Sequence, residues 1–387
     1  MARRAVITGI GLVSGAGVGR EAHIGCADRL DARPTALALF DGSTMPVQAA
    51  FQVSRPRPAP FMKRRKDLKL MSRDAQLALQ AAGLALTDAL IAPMDPDAWP
   101  IPPEEAGLFM GVGLEPGNIT ELGYVAADCS SAHHGIDLHR LGGSSIDLIP
   151  PLSALKTLPN MALAHISINL GMMGPGEALS PWGTAGIAAL GVAVESIERG
   201  ECEMALVGAS DSDVDLGGVS THARLGLAAR LTAAQAQSSD LWSLDGFVLG
   251  EGAAFLVVED EALALRRGAH IVARVGAVAS RTQSGAALAA FDAGCLRTVV
   301  NQVRAGGDLV TGVGGHWAAW RAAEAEALGG DLLYPSRATG WCAAASGLLD
   351  LGAALATACD RGYHGGLVGA AWSPGGDCAA VRCEVME

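Results

Sequence analysis

Four stretches of this chain carry residues that could do covalent or acid–base chemistry. Cys129-Ser130-Ser131, with His133 and His134 close behind, offers a thiol or hydroxyl nucleophile beside a base. A catalytic thiol needs surroundings that lower its pKa, such as a helix N-terminus or a nearby cation. Neither a preceding Gly-Pro turn nor a following helix flanks Cys129, so the stretch reads as a polar loop. His316, beside Trp317, could serve as a general acid or hydrogen-bond donor, although a lone histidine next to tryptophan also suits a structural place. Cys342 sits in an alanine-rich run, where a small thiol packs as a hydrophobe. Ser180 and Thr184 flank Gly183 with hydroxyls, but no adjacent base is in view to activate them. Thr184 is better placed as the N-cap of the helix that follows.

The elements that must position these residues alternate between strand and helix. Arg4 to Val13 is a β-branched run ending in a glycine-rich loop, hence a buried strand and turn. It does not complete a dinucleotide fingerprint. After Gly9-Ile10-Gly11 the third glycine is Ser14, and after Gly15-Ala16-Gly17 it is Arg20. Leu30 to Pro60 is proline-rich and irregular, and Met71 to Leu90 has helical spacing. Leu108 to Gly113 is a second strand; Leu114 to Pro150 reads as a long loop that needs a partner surface to be ordered. A helix from Thr184 to about Gly200, strands at Cys202–Gly208 and Phe255–Val258, and a second alternation from Ala273 to Val381 complete the pattern. The expectation is an α/β protein of two related halves, residues 1–260 with an excursion at about 114–160, and residues 261–387.

Several strings resemble the β-ketoacyl-acyl carrier protein synthases. Asp245-Gly246-Phe247-Val248-Leu249-Gly250-Glu251-Gly252 is similar to that family's ketosynthase signature. Val6 to Gly11, Met71-Ser72-Arg73 and Gly174-Pro175 extend the likeness over nearly the whole chain. The resemblance implies a thiolase-like fold of five layers, αβαβα, usually dimeric. It also implies a cysteine nucleophile at a helix N-terminus, where the dipole favours thiolate, and two histidines that assist decarboxylation and stabilise the enolate.

At each of these positions the chemistry is missing. Counting eight residues from Pro175 reaches Gly183 where the cysteine belongs. The run from Asp308 to His316 places Val313 at the first histidine and Arg321 at the later acid. Thr339-Gly340-Trp341-Cys342 places Trp341 at the second histidine, with Ser336 where a lysine is expected. The closing glycine loop is degraded to Trp372-Ser373-Pro374-Gly375-Gly376-Asp377. No catalytic residue is therefore expected at Gly183, Val313 or Trp341. His316, Cys342, Thr184 and Ser180 remain as residual pocket residues. Glycine at 183 is expected to relieve a strained elbow, and Trp341 to fill vacated space.

Composition narrows the partners. The 387 residues carry a formal net charge of −12, which disfavours nucleic acid and acidic membranes. The apolar stretches are too short or too interrupted for a membrane span. The eight cysteines have no C-x-x-C spacing, so neither a metal nor a redox pair is indicated, and no cofactor is implied. Reduced thiols suit the bacterial cytoplasm. Lys63-Arg64-Arg65-Lys66 is a solvated helix start or a dock for an acidic carrier protein or partner. Three readings result. The first is a non-catalytic partner subunit resembling a chain-length factor, as a homodimer or paired with an active ketosynthase. The second is a thiolase-like adaptor or chaperone for a secreted effector, and the third an acyltransferase or decarboxylase with an altered site.

Overall fold

The computed structural model describes residues 3–113, 119–131, 135–149, 152–283, 293–329 and 331–386. Ten strands form the frame: β1 (Ala5–Ser14), β2 (Ala106–Val112), β3 (Gly176–Leu179), β4 (Met204–Ser212), β5 (Glu251–Asp260), β6 (Ala273–Thr282), β7 (Leu309–Thr311), β8 (Leu332–Leu333), β9 (Gly366–Ser373) and β10 (Asp377–Val385). Their spatial order is β8-β7-β9-β10-β6-β1-β5-β4-β2-β3.

That order contains a repeat. Numbered within its own half, each set of five runs 3-2-4-5-1, and in each the fifth strand is antiparallel to both its neighbours while the others run parallel. The two sets meet only where β1 pairs β6, through Val6–Arg274 and Ile7–Ala273. The α/β class and the two related halves expected from sequence are both present.

Helices α1 (Arg73–Asp88), α2 (Ala185–Arg199), α3 (Ala293–Val303), α4 (Ala318–Leu328) and α5 (Ser346–Asp360) supply the remaining layers. Helix α1 packs on β1 and β5 from outside the first half, and α3 packs on β6 and β10 from outside the second. Helices α2 and α5 touch each other and face both halves, forming the middle layer. α5 is apolar nearly all round, and its buried run from Gly347 to Ala356 is what a helix enclosed by two sheets requires. Ile7, Leu190, Ile197, Leu256, Leu351 and Val381 belong to the cluster that fills this middle layer.

The Leu114–Pro150 stretch differs from its expected loop. Among the described residues it holds helices at Ile119–Asp128 and Leu138–Gly142, the latter capped by the Asp137 side chain accepting from His139 N and Arg140 N. Its turn-rich composition hid elements only one to three turns long. No described helix is long and apolar enough to cross a membrane.

Candidate functional site

β3 ends at Leu179, and the chain turns through a short 3-10 helix, Trp182–Thr184, into α2. The left-handed residue of this elbow is Trp182, with φ of 47°; Gly183 is not in that region. Glycine therefore does not relieve strain at 183, contrary to expectation. Its role is steric. A Cβ built on Gly183 would overlap the carbonyl oxygen of Trp372 and lie 3.0 Å from its carbonyl carbon and 3.3 Å from Ser373 Cα. The neighbours are backbone, which cannot swing aside as a side chain can. Strand β9 has closed over the space beside Gly183, which the resemblance assigns to a nucleophile.

The other half repeats this construction. A 3-10 turn, Ala343–Ala345, leads into α5, and its first residue has φ of 38°. There the backbone N–H of Ala344 donates to Asp211 Oδ2 at 3.0 Å.

Gly183, Val313 and Trp341 do converge. Together with Phe247, His316 and Trp372 they line one cavity of about 10 Å³, room for roughly a single water. Aromatic rings take the remaining space. Trp341 stacks on Phe247 with centroids 4.8 Å apart and meets His222 edge-on at 5.1 Å; Trp182 lies 6.1 Å away. Trp320 packs edge-on against Trp372 at 4.3 Å and against Phe247 at 5.0 Å. The signature string holds Trp341 in place, since Trp341 N donates to Val248 O and Gly250 N donates to Trp341 O.

The loop after β7 is fixed by a residue that sequence reading missed. Glu324, fully buried on α4, accepts from Val313 N at 2.6 Å, Gly314 N at 2.8 Å and the Tyr334 hydroxyl at 3.0 Å. Burial pushes its carboxyl up to about 7, while the two backbone donors pull it down. The signal was present: Trp320, Glu324 and Leu328 form the buried i, i+4, i+8 stripe of α4, and a carboxylate in such a stripe needs partners. Arg321, at the position expected for an acid, donates to Gly315 O and Trp242 O and lies over the Trp242 ring at 3.8 Å.

His316 is 2% exposed, stacked on Phe51 and edge-on to Trp242. Burial, reinforced by Arg321, lowers it from its ordinary 6.5 to about 3. The folded protein holds this imidazole neutral, whereas an unfolded chain takes up a proton below about pH 6.5. The associated stability is complete above that pH and lost as pH falls. The wild type is expected to lose more unfolding free energy between pH 7 and 5 than His316→Met does; equal losses in urea titrations would contradict this assignment.

Cys342 is buried, its thiol directed at Thr339 O and raised well above the ordinary range by burial. Thr184 is buried but does not cap α2. Its backbone is helical, with φ of −95° and ψ of 0°, instead of the extended conformation an N-cap needs, and its hydroxyl donates back to Pro181 O. Ser180 is exposed, as are Lys63, Arg64, Arg65 and Lys66; Arg64 pairs with Asp67 at 3.0 Å. Those four residues span the entry to a 3-10 segment, Arg65–Leu70, and not an α-helix. Cys129 is buried with its thiol on Val125 O; His133 and His134 lie outside the described residues. Among the described residues no group of His, Cys, Asp and Glu could hold a metal.

Two of the strings that carry the resemblance serve structure. Arg73, following Met71-Ser72, donates to both oxygens of Glu251 in the signature string, at 2.6 and 2.7 Å. Glu251 also accepts from Val53 N and Ser212 Oγ.

With this geometry in hand, the family described as "Beta-ketoacyl synthase, N-terminal domain" matches residues 27–264. The chain belongs to the β-ketoacyl synthase family. It is 28% identical over 288 residues to the granaticin polyketide putative beta-ketoacyl synthase 1 of Streptomyces violaceoruber, covering 73% of this chain and 65% of that protein. The chain thus spans less than two thirds of that relative's length. Among solved structures, the ishigamide ketosynthase/chain length factor superposes over the whole of both chains with TM-score 0.78 at 20% identity. A ketosynthase in complex with its type II polyketide acyl-carrier protein, AntDE:AntF, gives 0.74 at 17%, again over the whole of both. These likenesses bear out the thiolase-like ketosynthase architecture.

Proposed function

We propose that this protein is a non-catalytic ketosynthase homologue of the bacterial cytoplasm, a chain-length-factor-like partner subunit in a polyketide or fatty acid condensing system. One observation carries the reading: the Trp372 carbonyl occupies the space that any side chain at 183 would need. Losing one member of a catalytic unit removes most of its rate. Here the nucleophile's space is closed by backbone and the histidine positions are an aliphatic and a stacked aromatic side chain.

Two features support a partner. β3 is the edge of its half-sheet, with no described strand on its outer side. Large apolar side chains of the excursion are exposed, among them Leu122, Ile136 and Leu152, with Tyr124 and Leu138 at 72% and 75%. The ketosynthase/chain length factor neighbour is itself named for such a pair.

Co-expression with a cysteine-bearing ketosynthase from the same genome tests the reading, and a stable complex of the two chains is expected. A chain that stays partnerless and takes up label from acyl- or malonyl-carrier protein would overturn it, as would selective capture of a secreted effector. Within the reading, Lys63–Lys66 docks the acidic carrier protein. Reversing Lys63, Arg64 and Lys66 to glutamate is expected to weaken carrier binding by roughly tenfold or more at low salt, the effect fading as salt screens it. Binding unchanged by the reversal places the dock elsewhere.

A further inference from the structure

At the opposite end of α5 from the closed site lies a slot of about 430 Å³, within the range of small-molecule pockets. One wall is the face of α5 bearing Ala354 and Ala358, continued by its C-cap Arg361; the other is Leu309 from β7 and Leu333 from the edge strand β8. Positions 354, 358 and 361 follow i, i+4, i+7 spacing, so the wall runs along the helix for roughly 10 Å. Small side chains on the helix leave the space, and two leucines give it an apolar floor.

The hydroxyls around it are already engaged. The Thr357 hydroxyl donates to Ala353 O and accepts from Gly25 N, and the Tyr363 hydroxyl donates to Gly366 O. Asp28 and Arg361 pair with each other at the rim, each 58% exposed. Water inside would find few of the polar partners it requires. Asp28 neutralises Arg361 at the rim, so an anion would meet a carboxylate beside the guanidinium, whereas an uncharged polar end can still accept from the remaining Arg361 N–H groups.

We propose that this slot binds an uncharged alkyl chain, with its methylenes along Ala354 and Ala358 and its polar end at the Asp28–Arg361 rim. The site shares no lining residue with the cavity at Gly183, and it stands whether or not the partner-subunit reading does.

Calorimetric titration of the full chain with 1-octanol and with octanoate tests it. The expected result is saturable binding of 1-octanol, at least as tight as octanoate, and weakened at least roughly tenfold by Ala358→Phe. Leu333→Trp fills the slot from the strand side and gives the same test should the first variant fail to fold. The proposal is overturned by the absence of saturable heat up to the alcohol's solubility limit. It is equally overturned by affinity unchanged in a folded filled variant, or by octanoate binding roughly tenfold more tightly than the alcohol.

Discussion

Gly183→Cys is expected to destabilise the protein by about 3 kcal/mol and to yield no acyl-enzyme. The new Cβ meets the Trp372 carbonyl and the backbone at Ser373. Strand β9 must therefore move, although it is hydrogen-bonded along its length to β10 and paired with β7. Urea denaturation measures the first effect, and intact mass after incubation with acyl-carrier protein measures the second. Gly123→Ala is the control. It lies in the Ile119–Asp128 helix with nothing within 4 Å of its Cβ, so substitution there should be neutral or stabilise by a few tenths of a kcal/mol up to about 1. A Gly183→Cys variant as stable as the wild type, carrying a thioester, would refute the closed elbow.

The second large effect is expected far from the elbow. Arg73→Ala should cost about 3–5 kcal/mol, because it strands the fully buried Glu251 carboxylate. Val53 N and Ser212 Oγ still donate to it, but neither carries the compensating charge. The double variant Arg73→Met with Glu251→Gln should recover part of the loss, since the buried charge itself is gone. A single-variant cost below about 1 kcal/mol would mean that water reaches the pair.

These two sites show which part of the molecule was legible in sequence. The Gly250-Glu251-Gly252 string and the Arg73 helix start are local and chemically restricted, so they could be read from order alone. The convergence of Gly183, Val313 and Trp341 was also legible, because each sits at a fixed offset from a retained string. Contacts made by backbone from distant strands were not. Nothing in the string Ser180 to Gly186 announces the Trp372 carbonyl, which arrives from nearly two hundred residues away. The reason for glycine at 183 was accordingly misjudged. Thr184 failed as a cap for a related reason: the preference of threonine for N-caps presumes an extended backbone at the cap, and the preceding 3-10 turn leaves Thr184 helical. Glu324 could have been found by asking what a carboxylate does inside an apolar stripe.

The left-handed residues Trp182 and Ala343 carry a wider lesson. Backbone conformations of this kind are commonly taken as the mark of a working active site, kept because the reaction depends on them. Here the same kink stands before both middle-layer helices, once where the resemblance expects a nucleophile and once where it expects none. The kink belongs to the manoeuvre by which a chain leaves one sheet and enters a helix sandwiched between two. In this chain a left-handed elbow is therefore a property of the repeated fold, and it would identify a catalyst only where a side chain capable of chemistry has room to stand on it.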